Sequence, residues 1–275
     1  MTERPIRIGN QTAFSASTPW EPFLYAAKRG FDAFEWFPDK KEWGEGWEVG
    51  DLNPECREKI KETAQRHDIR LSVHAPWWVN TSRPEDKEPL EANIRFAGDI
   101  GAALLNIHLH LTGELDHFVF SLAPIIEDLE KAGIDLSIEN TPLTSPEEFN
   151  RLFARIEDWR TPGMRVGMCL DLGHANLYAS TRNDYLAYVD RLEISVPIIH
   201  LHAHENYGDG DSHLPLFTGP AAQNPQAIAS LVQRLEKRRF SGSVILEQWP
   251  QPPSLLDDAR DRLGQIFSSV PPLSR

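Results

Sequence analysis

The chain has 275 residues, with 41 Asp+Glu against 28 Lys+Arg for a formal net charge of −13, and 40% of its residues are hydrophobic. Recurring aliphatic and aromatic clusters exclude a disordered chain, and no apolar run nears the roughly 20 residues of a membrane span. The acidic balance opposes non-specific binding to nucleic acid, which relies on Lys and Arg.

In chain order, short β-rich runs alternate with helix-like stretches about eight times. The expected strands cover 6–10, 31–37, 69–74, 103–110, 134–139, 164–171, 197–204 and 243–247. Amphipathic helices are expected over 53–67, with Asn53 as N-cap and Pro54 at the first helical position, and over 145–156, opened by Ser-Pro-Glu-Glu. A third covers 224–238, starting Asn-Pro and ending Lys-Arg-Arg. Gly30, Gly101 and Gly133 each stand where a helix closes before the next strand. Strands separated by helices pair in parallel, so 1–275 reads as a single (β/α)8 barrel domain. An open doubly wound sheet would carry a glycine-rich turn after its first strand, and the run from Ile8 to Ala13 is not one. Two cysteines, Cys56 and Cys169, are too few for a disulfide framework. With a polar start and no apolar leader stretch, they predict a cytoplasmic protein without a membrane anchor.

Six consecutive strands end in chemistry-bearing residues, at the mouth where such barrels place their active sites. The ends read Ser72-Val-His74-Ala-Pro76, Asn106-Ile-His108-Leu-His110, Ser137-Ile-Glu139-Asn140 and Cys169-Leu-Asp171-Leu-Gly-His174. The seventh gives His200-Leu-His202-Ala-His204, followed by Asp209-Gly-Asp211-Ser-His213, and the eighth ends at Glu247. Period-two alternation sends these to one face and their apolar neighbours, such as Ile107, Ile138, Leu170, Leu201 and Leu246, to the other. So many carboxylates and imidazoles in one place call for a compensating cation, and this donor set suits zinc, manganese or iron. His67 and His117 lie on helical segments and read as ordinary surface residues. Cys169 faces the barrel interior with no base placed to make it a nucleophile.

His74-Ala-Pro, Glu139-Asn, Asp171-x-x-His174, Asp211-Ser-His213-Leu-Pro-Leu and Ile245-Leu-Glu247, in this order and spacing, resemble the xylose-isomerase-like barrel superfamily. That superfamily includes sugar isomerases, sugar 3-epimerases and endonuclease-IV-like enzymes (AP endonuclease family 2). The likeness runs from about 69 to 250. It implies one Mn-like ion on Glu139, Asp171, His202 and Glu247, as in the epimerases. Further ligands of the endonuclease-like branch, which binds up to three zinc ions, fall on His74, His108, His174, Asp211 and His213. The chain departs from its relatives at His108-Leu-His110, where His-Pro-Gly is frequent, and at Phe217-Thr-Gly219. His110, His200 and His204 receive no role from the resemblance beyond supporting the ligands.

The resemblance and the acidic charge together favour a divalent-metal-dependent sugar or sugar phosphate isomerase or epimerase, holding between one and three zinc or manganese ions. Glu139 and Glu247 would transfer the proton on a metal-chelated carbohydrate. Trp36, Trp77 and Trp249, with Trp78, are expected as apolar walls for that small-molecule substrate, with Arg83 as a substrate-binding cation and the 43–47 loop as a lid. Nucleic acid is not expected as a partner, and barrels of this family often pair as homodimers. The alternative is a multinuclear-zinc phosphodiesterase or phosphoesterase of endonuclease-IV-like type, which the full set of nine ligands favours. A metal-holding or sugar-sensing barrel without catalysis ranks third.

Overall fold

The computed structural model describes residues 6–13, 15–111, 113–156 and 164–270. Eight parallel strands close in sequential order into a barrel, with helices between them, the expected (β/α)8 architecture. The first half runs β1 (Arg7–Gln11), α1 (Trp20–Arg29), β2 (Ala33–Trp36), α2 (Pro54–His67), β3 (Arg70–His74), α3 (Lys87–Ile100), β4 (Leu104–His108) and α4 (Leu115–Ala132). The second half runs β5 (Asp135–Glu139), α5 (Pro146–Ile156), β6 (Val166–Asp171), α6 (Leu172–Leu177), α7 (Tyr185–Arg191), β7 (Ile198–Ala203), α8 (Pro220–Gln223), α9 (Gln226–Lys237), β8 (Ser243–Leu246) and α10 (Ser254–Ser269). No helix among the described residues is long and apolar enough to cross a membrane.

Local chemistry sets the helix ends. Asn53 Oδ1 accepts the Cys56 amide at 2.9 Å to start α2, satisfying one of the orphan N–H groups of a first turn. At α5, Ser145 and Glu148 form a reciprocal capping box, Glu148 N donating to Ser145 Oγ at 3.2 Å and Ser145 N to Glu148 Oε2 at 2.6 Å. Gly30, Gly101 and Gly133 take φ of 74°, 71° and 68° beyond their helices, a conformation in which a Cβ is costly. The third helix differs from expectation. It begins at Gln226 after Pro225, with no side-chain cap, because the chain just before it is spent on the short α8.

Period-two alternation divides each strand between two environments. Inward positions carry the polar residues: Gln11, Glu35, Ser72, Asn106, Ser137, Cys169 and His200. Outward positions carry Phe34, Trp36, Val73, Leu105, Ile107, Ile138, Leu170 and Leu246, all buried against the helices in one apolar core. Strand register keeps the two sets apart everywhere, with one irregularity. Met168 pairs with Ile198 but Cys169 pairs with His200, so β7 carries an extra residue, Ile199. Glycines on both flanks make room for it. A Cβ on Gly167 would lie 2.7 Å from Ile199 Cγ2, and one on Gly242 would overlap the Ile199 carbonyl.

The core claims two of the tryptophans expected at the mouth. Trp36 is 0% exposed and sits edge-on to Trp20, Phe34, Trp47 and Phe96. It cannot wall a substrate, because its neighbour Glu35 takes the inward position and alternation turns Trp36 out. Trp249 is 9% exposed and packs edge-on against Tyr25 of α1 at 5.5 Å, so it too serves packing. In the 43–47 loop, Trp47 is buried in the same core while Trp43 projects into solvent, which anchors one end of the segment expected to act as a lid.

Candidate metal centre

The mouth is organised around Glu139, the last residue of β5. Its Oε2 lies 3.0 Å from His74 Nε2 and 3.2 Å from His202 Nδ1, and accepts the Asn106 amide at 2.5 Å. Its Oε1 lies 3.2 Å from His108 Nε2 and 3.3 Å from His174 Nδ1. Four imidazoles therefore surround one buried carboxylate. Behind it, Ser137 Oγ donates to Asn106 Oδ1 at 2.7 Å, which orients the Asn106 amide toward Glu139.

Two further carboxylates complete the deep part. His202 Nδ1 is 3.3 Å from Glu247 Oε1 and 3.8 Å from Asp171 Oδ2. Asn140 clamps β5 to β6 at this level: its Nδ2 donates to the Asp171 carbonyl at 3.0 Å while its Oδ1 accepts the Asp171 amide at 2.8 Å. Asp171 also accepts the His174 amide, opening α6. Further out, Asp211 Oδ2 lies 3.3 Å from His174 Nε2 and 3.2 Å from His213 Nε2. His213 holds φ at 45°, a strained backbone for a non-glycine residue.

Four of the histidines share one orientation. His74 Nδ1 donates to the Ala75 carbonyl, His108 Nδ1 to Trp77 O, His174 Nδ1 to Asn140 O and His213 Nδ1 to Glu247 O, at 2.5, 3.2, 2.8 and 2.9 Å. A carbonyl can only accept, so in each ring the proton is fixed on Nδ1 and Nε2 is left to face a carboxylate. Metal-binding imidazoles are held in this way. Among the nine positions, His202 is the exception and turns Nδ1 inward. Both its ring nitrogens lack a hydrogen-bond partner among the described residues, although carboxylates approach each of them. Close N···O approaches without hydrogen-bond alignment suit ligands arrayed around a cation better than donors and acceptors. The donor set and these orphaned buried atoms fit divalent ions.

Electrostatics report the same crowding. Burial pushes the Glu139 carboxyl up, but the imidazoles of His202, His108 and His74 outweigh it and hold it well below the ordinary range. Glu247 goes the other way: burial, with Asp171 and Glu139 nearby, keeps it well above that range. Burial opposes charge on His213, yet Asp211 raises it to about 9.

All nine positions named from sequence, His74, His108, Glu139, Asp171, His174, His202, Asp211, His213 and Glu247, thus meet in one mouth. Trp77 stays 57% exposed there, and its carbonyl accepts from both His108 and His110 (2.8 Å to His110 Nε2). Arg83 lies exposed on the same loop. Two more residues belong to the mouth: His204, expected from sequence only as a support for the ligands, and Glu35, which sequence reasoning does not place there. His204 Nε2 meets Asp171 Oδ2 at 3.1 Å, and its ring stacks on His213 at 3.9 Å. It fills a slot left by Gly173, where a Cβ would overlap the ring. Glu35, buried on β2, meets His200 and His202 at 2.9 and 2.8 Å. The signal for Glu35 is a lone carboxylate inside an apolar strand, which has to be paired.

Residues 23–266 match the sequence model of a family described as xylose isomerase-like TIM barrel. The chain is 26% identical over 219 residues to the uncharacterized protein MJ1311 of Methanocaldococcus jannaschii, covering 71% of this chain and 70% of that one. Its fold is shared with endonuclease IV from Thermus thermophilus, at TM-score 0.64 and 18% identity over 94% of this chain and 99% of that one. A xylose isomerase domain protein from Planctomyces limnophilus gives TM-score 0.68 and 13% identity, covering 96% and 98%. The IOLI protein, in a structure with a bound zinc atom, gives TM-score 0.69 and 13% identity, covering 95% and 98%.

Proposed function

Since the chain belongs to the xylose isomerase-like TIM barrel family, whose members are typically enzymes, we propose that it is a divalent-metal-dependent enzyme with a multinuclear centre that hydrolyses phosphoesters of small, carbohydrate-like molecules. The observation that carries this is the shared orientation of His74, His108, His174 and His213, each with Nδ1 on a main-chain carbonyl and Nε2 on a carboxylate. A single ion held by Glu139, Asp171, His202 and Glu247 leaves those four imidazoles without a purpose. With further ions, His74 and His108 would join Glu139 at one position, and His174, Asp211 and His213 would form another.

Bound divalent ions would supply an activated water and charge stabilisation for a phosphoryl group. The residues of this chain hold the ligand geometry, with Asn106 and Asn140 orienting Glu139 and Asp171. Glu139 serves both sides of the centre through its two oxygens. Charge supports the same reading: one divalent ion would leave Glu139, Asp171, Asp211 and Glu247 net negative at the mouth, whereas three would make it attract an anion. The acidic chain and the exposed Trp77 and Trp78 favour a small substrate over a nucleic acid.

A second reading, sugar isomerisation or epimerisation, draws on another observation. Glu139 is held well below the ordinary carboxyl range and Glu247 well above it, both against His202, the divergence expected of an acid and a base. Metal analysis of the purified holoprotein, followed by two assays, separates the readings. Two or three zinc ions per chain with cleavage of an aryl phosphodiester support hydrolysis. One ion with solvent-hydrogen exchange into a ketose and no cleavage supports the isomerase and overturns the hydrolase.

A further inference from the structure

His202 breaks the rule that His74, His108, His174 and His213 follow. No main-chain carbonyl among the described residues accepts from it, and it turns Nδ1 rather than Nε2 toward Glu139 and Glu247, at 3.2 and 3.3 Å. On its far side Nε2 approaches Glu35 Oε1 to 2.8 Å, and no hydrogen-bond partner satisfies either atom among the described residues. Glu35 is itself held in place. Its Oε2 accepts from Ser72 Oγ at 2.8 Å and meets His200 Nε2 at 2.9 Å. The whole group of Glu35, Ser72, His200 and His202 is buried, so Glu35 cannot swing away without leaving donors unsatisfied.

Resting on the reading that the mouth holds divalent ions, we infer that Glu35 is a positioning residue that makes His202 an Nδ1 ligand. A carboxylate beside Nε2 keeps the proton on that nitrogen and leaves the lone pair on Nδ1, where Glu139, Asp171 and Glu247 converge. It also makes the imidazole a better donor to a cation. β2 contributes none of the nine ligands, yet through Glu35 it would set the one imidazole that closes the deep part of the centre. The competing use of the same residues is an ion lying deeper, between His202, His200 and Cys169, which also come within ligand distance of one another.

Cobalt(II) binding distinguishes these. Metal-free full-length protein, Glu35→Gln and Glu139→Gln are titrated with Co²⁺ against a chromogenic chelator, and the d–d absorption of the bound ion is recorded. Glu35→Gln keeps the shape of the side chain and removes its charge. It should lower the affinity of the tightest Co²⁺ by about 10–100-fold and shift the d–d bands of the ion that remains bound. A purely structural role would leave those bands unmoved. Wild-type affinity and spectrum in Glu35→Gln, with binding lost in Glu139→Gln, overturn the role of Glu35 alone. Failure of the wild-type protein to bind Co²⁺ overturns the metal reading and this inference with it. A thiolate-to-cobalt charge-transfer band that vanishes in Cys169→Ser would place the ion on the Glu35 side of His202 and overturn the inference. Should Glu35→Gln not fold, Ser72→Ala removes only one of the bonds holding Glu35. A several-fold loss of affinity with the same spectral shift supports the inference, and wild-type behaviour overturns it.

Discussion

The deep and shallow halves of the mouth are built differently. His74, Glu139, Asp171, His202 and Glu247 stand on or directly beyond strand ends and are buried. Asp211 and His213 hang on the loop between β7 and α8, with side chains 38% and 37% exposed, and His213 keeps its place at the expense of a strained φ. Two imidazoles reach both: His174, on the first turn of α6, meets Glu139 through Nδ1 and Asp211 through Nε2, and His204 Nε2 lies 3.1 Å from Asp171 and 3.9 Å from Asp211. A strand-borne site is rigid and organised before anything binds, while a loop-borne one can open and exchange its contents. The two halves should therefore load in order, the deep one first and more tightly.

The largest break comes from Glu139→Gln. Both carboxylate oxygens serve imidazoles, so the substitution should weaken the deep ion by more than about a hundredfold, the upper range for a merely supporting partner, and abolish turnover. Calorimetric zinc titration and the phosphodiester assay check it, and retained activity would refute the central place of Glu139. Asp211→Asn should do less. One ion per chain should be lost or bound about 10–100-fold more weakly, with the deep ion unaffected; equal weakening of both would erase the distinction between the halves.

The smallest effect is a pH dependence. In the metal-free protein His213 titrates near 9 in place of 6.5, because Asp211 outweighs its burial. A folded pKa above the unfolded one means that the stabilisation is complete below about 6.5 and fades as pH rises through 9. Thermal melts of metal-free wild type and His213→Gln should therefore differ most at acidic pH and converge above about 9. Zinc must displace that proton, so occupancy of the shallow position should rise over the same range.

Much of this is legible in the sequence. Alternating strand and helix signals give the barrel, the strand-end residues give its mouth, and the resemblance to the barrel superfamily picks out the nine positions that converge there. The expectations that fail do so where alternation is not carried far enough. Glu35 and Trp36 are neighbours on one strand and cannot both face inward, so a carboxylate that has to be paired inside the barrel already excludes Trp36 as a wall. Trp249 lies beyond the end of β8, where strand periodicity no longer says which way a side chain turns and the contact with Tyr25 decides. Alternation along β7 already turns His204 inward beside the ligands, but the slot that receives its ring is left by Gly173 on a different element and is not legible from its own strand. The start of α9 falls later than expected because Asn-Pro is as compatible with a loop entering a helix as with a cap.

The extra residue in β7 makes the chemistry of the mouth a matter of phase. If Met168–Ile198 pairing simply continued, Leu201 would oppose Asp171, and His200 and His202 would project among the helices. Every residue named for the centre would still be in the chain, in the same order, and the deep half would lack its closing imidazole. A side chain at Gly167 or Gly242 large enough to press Ile199 back into line is enough to do this, whereas deleting Ile199 itself would straighten the strand and leave His200 opposite Cys169. In comparing relatives, the two glycines that give Ile199 its room therefore carry as much information as the histidines themselves.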